Sequence, residues 1–262
     1  MDTIPKEIKV IHKLKKFINK NNLDGYIIPK NDNFFTEYSN NNNLYKVSNF
    51  TGSAGFALIL KKKNYLFVDG RYTLQAKKQS GKNFKILEIP KFWPKDIFKI
   101  INCKIGFDAK LFTENILEKY FENKVNLIPI VFNFNNKANK AESKIFKLKR
   151  SVVGEESTSK LKKIKNFLLK KKINYLYVSA SENVNWLLNI RGKDLPNSPI
   201  INLKLIFDKN GKLYLFSNKK KIIFLKKILP KKIYYYNESN FFHVINKLRK
   251  KTFCIDRYTC SI

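Results

Sequence analysis

The chain follows one plan twice, about 150 residues apart, and this duplication limits what it can fold into more than any other feature. The first pass opens with a stretch from about Pro5 to Asn21, in which Ile8, Ile11, Leu14 and Ile18 make one helical stripe. A strand "GYIIP" and a polar run "KNDNFFTEYSNNNN" come next, then the strands "FALIL" and "YLFVDG" joined by "KKKN". A helix "RYTLQAKKQ", a strand "FKILEI", a helix "PKDIFKII", a strand "CKIGFDA", a helix "TENILEKYFEN" and a strand "NLIPIVF" complete the pass. The second pass runs helix "SKLKKIKNFLLKK", strand "YLYVSA" and helical "SENVNWLLNI", then a hairpin of "INLKLIF" and "LYLFS" turned at Asn-Gly. It closes with helix "KKIIFLKKIL", strand "KIYYY", helix "FFHVINKLRK" and strand "FCID". Tyr26 aligns with about Tyr177, and Asp108 with about Asp256.

Alternating strands and helices, read twice, predict an α/β protein of two tandem domains, each a mixed sheet flanked by helices. The expected division is residues 1–140, a linker at 141–156 in an apolar-poor stretch, and a second domain at 157–262. The first pass continues about 25 residues beyond its "GFDA" strand, whereas only six residues follow Asp256. On its internal template the second domain is therefore expected to be incomplete.

A net charge of +33 raises the prospect of nucleic-acid binding. The way the charge is made argues against it. Lysines number 48 and arginines 5, although phosphate and base-edge recognition draws on the arginine fork. Lys is enriched together with Asn, Ile, Phe and Tyr, as AT-rich codon drift would produce. No specific nucleic-acid partner is expected. The longest apolar run, Phe56 to Leu60, is far too short for a membrane span, and the lysine-rich N-terminus has no secretory signal pattern. Cys103, Cys254 and Cys260 lack C-x-x-C spacing and are expected as reduced, buried structural thiols in a cytoplasmic protein.

The chemistry turns on "TGSAG" (51–55) and "VDGRY" (68–72). A phosphate loop places its glycines between a strand and a helix and ends in Gly-Lys-Ser/Thr; here the glycines precede a strand. A nucleophile elbow reads G-x-S-x-G and needs a nearby base, and the only histidines are His12 and His243 on helices. "TGSAG" is thus a structural turn, in which Gly52 and Gly55 allow backbone angles or a close approach that a Cβ would block. Asp69 ends a strand and caps the helix after it. Arg71 lies at a strand's C-terminal edge, where open α/β sheets place functional groups; the alternative is a salt bridge to a carboxylate such as Glu37. In the second pass Trp186 is expected in the core, and Arg191 either pairs at an interface or faces a cleft. No ligand set for a metal can be assembled from these residues.

"NFTGSAGFALILKKKNYLFVDGRYTLQA" resembles the N-terminal region of the aminopeptidase P (Xaa-Pro aminopeptidase) family, with its F-T-G-S-A-G, D-G-R-Y and Q-A segments. "DNFFTEY" (32–38), "VGEESTSKLKKI" (153–164) and "WLLNIRGKDLPNSPI" (186–200) resemble further segments of three-domain members, in the same order. Phe34 stands where the family often has His, and Pro129 where an Asp is usual. The resemblance implies two creatinase N-terminal-like domains with a ribonuclease H-like motif, followed by a pita-bread metallopeptidase domain. In that third domain two Asp, one His and two Glu hold two divalent ions, commonly manganese, and none of those ligands maps onto this chain. On this reading the chain binds no cofactor, is inactive alone, and shapes the cleft that admits an Xaa-Pro N-terminus as well as homo-oligomer contacts. Glu37, Asp69, Arg71, Trp186 and Arg191 are its cleft or interface candidates. A free-standing peptide- or protein-binding module and a polyanion-binding protein are the competing readings.

Overall fold

A computed structural model describes residues 5–36, 42–98, 103–134, 144–230 and 232–262. The chain divides into two compact units, Met1–Ala138 with Ser261–Ile262, and Asn139–Cys260.

In the first unit helix α1 (Lys6–Lys20) leads into strand β1 (Gly25–Pro29), and helix α2 (Asn43–Ser48) precedes strands β2 (Gly55–Leu60) and β3 (Asn64–Asp69). Helix α3 (Thr73–Ser80), strand β4 (Lys85–Ile89), strand β5 (Cys103–Phe107), helix α4 (Glu114–Phe121) and strand β6 (Val125–Pro129) follow. The sheet order is β4-β3-β2-β1-β5-β6. β2 is antiparallel to both neighbours, and the remaining pairs are parallel. Apolar residues point alternately to the two faces, as strand geometry requires. Tyr26 and Ile28 meet Ile11, Leu14 and Ile18 of α1 on one face. Ile27, Phe56 and Phe67 meet Leu117 and Phe121 of α4 on the other. Pro129, which lacks an N–H for a ladder, sits at the end of the edge strand β6, where it costs least.

The second unit holds strand β7 (Phe146–Lys147), helix α5 (Ser157–Lys170), strand β8 (Tyr175–Val178), helix α6 (Ser181–Leu188) and strand β9 (Ile190–Arg191). Then come strands β10 (Lys204–Asp208) and β11 (Leu213–Ser217), helix α7 (Lys219–Ile228), strand β12 (Ile233–Asn237), helix α8 (Phe241–Lys247) and strand β13 (Phe253–Cys254). The main sheet runs β12-β11-β10-β8-β13, and β7 pairs separately with β9. β8, β10, β11, β12 and β13 repeat the order and directions of β1, β2, β3, β4 and β5.

One pair of hydrogen bonds fixes the register between the copies. Asp24 accepts from the Lys104 amide through Oδ2 at 2.9 Å, while its own N–H reaches the Lys104 carbonyl at 2.8 Å. Asn174 accepts from the Thr252 amide at 3.1 Å, with its N–H on the Thr252 carbonyl at 3.2 Å. Asp24 thus corresponds to Asn174, and Tyr26 to Leu176. The sequence pairing of Tyr26 with Tyr177 is one residue out: Tyr177 points to the opposite face, toward Ile206, Phe216 and Val244. Asp108 and Asp256 do correspond, each accepting from the amide two residues on, at 3.0 and 2.9 Å.

Three local expectations change. The polar run after β1 is followed by a helix, α2, which the sequence reading left out; Asn42 caps it, accepting from the Tyr45 amide at 3.0 Å. The expected helix "PKDIFKII" is a single 3-10 turn at Pro94–Asp96, with residues 99–101 outside the described ones. The three cysteines form no disulfide with one another and are half-buried rather than buried.

Candidate functional site

In the first unit, β1 and β3 end, and β2 begins, at the same side of the sheet. That side gathers the turn before β2 and the segment after β3. Gly52 packs flat on Phe50; a Cβ there would lie 2.2 Å from the ring, and one on Gly55 would lie 2.7 Å from the Phe67 carbonyl oxygen. Close approach, not unusual backbone angles, is what these two glycines supply. The turn is tied to α3 through Thr51, whose hydroxyl accepts from Gln75 at 2.7 Å and Gln79 at 2.9 Å, and whose N–H reaches Gln79 at 3.0 Å. Ser53 shares a 3.0 Å hydrogen bond with the Tyr72 hydroxyl, which is no general base for a nucleophile. Asp32 shapes the loop beyond β1, accepting from the Phe34 and Thr36 amides at 2.9 and 3.2 Å. Phe34 itself is buried.

Asp69 caps the turn after β3, accepting from the Arg71 amide at 3.0 Å and its Nε at 2.8 Å. These hydrogen bonds hold the Asp69 carboxyl below its ordinary range, the Arg71 side chain contributing most. Arg71 thus pairs with Asp69; Glu37, the sequence-level partner, lies outside the described residues. With its side chain 74% exposed, Arg71 presents a cation at the strand edge.

In the second unit the groups converge on the C-terminal turn of α6. Asn189 ends that helix with φ of 55°, the left-handed conformation that asparagine tolerates. Lys160 of α5 is 4% exposed, and its Nζ donates to the Trp186 carbonyl and to Asn189 Oδ1, both at 2.7 Å. The same ammonium stands 4.0 Å from the centre of the Trp186 ring. Burial pushes the Lys160 amine below its ordinary value, a shift that Glu155 opposes. Arg191 Nη1 donates to the Asn185 and Ile190 carbonyls at 3.2 and 2.8 Å. Two cations therefore meet the negative end of the helix. Asp194, in the following loop, forms a buried ion pair with Lys221 and accepts from the Asn202 amide at 2.7 Å.

Trp186, expected in the core, is 55% exposed: Val184, Leu187 and Leu188 take the inner face of α6, leaving the indole outside on the Lys160 ammonium. Arg191 meets the same helix end through the Asn185 carbonyl, while Asp69 and Arg71 are brought together in the other unit. Lys160 and Asp194 were missed as individuals, although both lie inside the segments "VGEESTSKLKKI" and "WLLNIRGKDLPNSPI". His12 and His243 are exposed on α1 and α8. Among the described residues no three His, Cys, Asp or Glu side chains group so as to hold a metal ion, and no helix is long and apolar enough to cross a membrane.

Residues 11–130 match a family model described as the creatinase/prolidase N-terminal domain, and residues 136–262 match a second model of the same description. The fold and both matches define a tandem of creatinase/prolidase N-terminal domains. The chain is 32% identical over 212 residues to "Probable Xaa-Pro aminopeptidase P" of Coprinopsis cinerea, covering 73% of this chain and 34% of that protein. It is 29% identical over 241 residues to "Xaa-Pro aminopeptidase 1" of Dictyostelium discoideum, covering 82% of this chain and 38% of that protein. Its fold matches the X-prolyl aminopeptidase of Caenorhabditis elegans, described as a cytosolic enzyme with a di-nuclear active site. That match has a TM-score of 0.81 at 20% identity, over 93% of this chain and 44% of that one. The chain belongs to the creatinase/prolidase N-terminal family, as the N-terminal creatinase-like portion of the Xaa-Pro aminopeptidases. It spans about a third of the length of these curated relatives.

Proposed function

We propose that this chain is the non-catalytic, two-domain N-terminal scaffold of an Xaa-Pro aminopeptidase. On this reading it shapes the cleft that admits a peptide with an N-terminal Xaa-Pro pair and contributes homo-oligomer contacts in the cytoplasm. Residues 1–140 and 157–262 are taken as the two domains, and the segment 141–156 between them carries β7, which pairs with β9. The observation that carries the reading is the match of both units to family models described as the creatinase/prolidase N-terminal domain. Two divalent ions, manganese in the expected case, would activate water and polarise the scissile carbonyl, with their ligands in the part of the relatives this chain does not span. The residues of this chain act by presentation. Arg71 offers a cation at a strand edge for a carboxylate of substrate or neighbour, held by Asp69. Trp186 offers an aromatic face, held by Lys160, with Arg191 beside it. The test is the purified 262-residue chain incubated with manganese and an Xaa-Pro peptide. No release of the first residue is expected, and release that a chelator abolishes overturns the reading.

A further inference from the structure

The helix after the third strand of each sheet follows one plan, and the two copies differ in what they show to solvent. Phe216 stands in β11 where Phe67 stands in β3. Asn218, which caps α7 by accepting from the Lys221 amide at 2.9 Å, therefore takes the place of Asp69. On this register Leu225 and Leu229 turn inward on α7 as Ala76 and Ser80 do on α3, and all four are buried. One position before Ala76, Gln75 donates to the Thr51 hydroxyl at 2.7 Å and holds the glycine turn. One position before Leu225 stands Phe224, which is 51% exposed, with Ile223 beside it at 59%.

Two large apolar side chains held in water cost free energy that a partner would recover, and their surroundings say which partner. α7 reads KKKIIFLKKI and carries no acidic residue. Lys221 is its inward cation, in the buried pair with Asp194. Lys219, Ile223 and Lys227 follow one another at i, i+4 along the outer face, with Phe224 and Lys226 on its flanks. The Lys227 ammonium lies 5.7 Å from the centre of the Phe224 ring, so charge and aromatic surface are presented together. Aliphatic and aromatic surface set among lysines matches a layer that is anionic outside and apolar beneath, as lipid headgroups over acyl chains are. A phosphate backbone or an acidic polypeptide would answer the lysines and leave Ile223 in water.

We propose that the outer face of α7 docks on an anionic lipid surface. Ile223 and Phe224 enter the headgroup layer, while Lys219, Lys226 and Lys227 meet the lipid phosphates and carboxylates. The contact is peripheral and reversible, since two side chains on one short helix anchor far less than a spanning helix does. It stands apart from the peptidase reading above, because it rests on α7 and its counterpart alone.

The test is sedimentation of the full chain with vesicles of phosphatidylcholine alone, and of phosphatidylcholine with about 30% phosphatidylserine. Binding to the second and not to the first is expected, falling as salt rises. Ile223→Ser with Phe224→Ser leaves the charge unchanged and should weaken binding at least ~10-fold. Lys219→Gln with Lys227→Gln should also weaken it ~10-fold, whereas Lys13→Gln with Lys16→Gln, the same charge lost from α1, should change it less than ~3-fold. Each substituted side chain is exposed, so the variants keep the core intact. Equal losses from the two lysine pairs would mean adhesion by net charge and would overturn the proposal. So would undiminished binding after the two serine substitutions, or no binding to the anionic vesicles at low salt. Tighter binding to polyglutamate or duplex DNA than to those vesicles, weakened by the same α7 substitutions, would assign the face to a different partner and overturn it too.

Discussion

The two sheets share strand order, directions and the clamp between the first strand and the fifth, yet they bury their faces differently. In the first, both faces are filled: one by α1 and α2, the other by thirteen buried residues that include Phe107, Phe112 and Phe121. In the second, α5 and α6 cover one face but leave a cavity of about 240 Å³ beside Ile164 and Leu176, and among the described residues the opposite cluster holds four buried ones, Tyr177, Ile206, Phe216 and Val244. Stacked tyrosines finish that face, with the Tyr214 and Tyr234 rings 5.4 Å apart, Tyr214 half-buried and Tyr234 exposed. The contrast shows where such a scaffold gets its stability. The four central strands form from local pattern, whereas the sixth strand and its helix seal the edge and both faces beside it.

The largest expected effect tests this directly. Leu14→Ala should destabilise the first unit by about 3 kcal/mol, because a fully buried side chain leaves a cavity. Ile164→Ala, at the corresponding place beside the gap that α5 and α6 leave, should cost about 1 kcal/mol, since its site is already part cavity. Native-state hydrogen exchange of β1 against β8 reads both, and equal costs would mean that the two faces are equally sealed.

Next comes the buried cation. Where α5 carries Lys160, α1 carries Val10, and in the second unit the Lys160 ammonium ties its helix to the end of α6. Lys160→Ala should cost roughly 2 kcal/mol in the second unit, as the Trp186 carbonyl and Asn189 carboxamide lose their donor. It should also move Trp186 emission in a Trp93→Phe background, whereas Val10→Ala should leave that emission unchanged.

The smallest effect concerns the clamp. Backbone hydrogen bonding from Lys104, chiefly, holds the Asp24 carboxyl below its ordinary 3.8. A depressed folded value means that the contribution is present above about pH 4 and is lost as pH falls through the folded value. Asn174 does not titrate. Acid should therefore weaken the first clamp and spare the second, by well under ~1 kcal/mol because Asp24 is solvent-screened. Exchange of the Lys104 amide against the Thr252 amide from pH 5 to 2 measures it, and Asp24→Asn should remove the difference.

The repeat was legible because strands and helices carry their own periodicity; Asp108 and Asp256 were matched correctly for that reason. Aligning Tyr26 with Tyr177 matched residue type and lost the face, since neighbours on a strand point opposite ways. α2 was hidden in a run of asparagines: its cap Asn42 is one among several, and its stability comes from burying Leu44 and Val47, which is tertiary. Trp186 was expected inside, although Val184, Leu187 and Leu188 already filled the inner stripe of its helix. Lys160 was one lysine among many on α5, and only its burial sets it apart. The Asp69 cap and the glycine turn were legible because their chemistry is local.

The central claim is that one scaffold occurs twice, closed at its far edge in the first copy and open in the second. Amide exchange along the two corresponding strands tests it most directly. The account predicts that Cys103–Phe107 exchange as slowly as β1, and that Phe253–Ile255 exchange at least ~100-fold faster than β8. Matched slow exchange in both strands would contradict it.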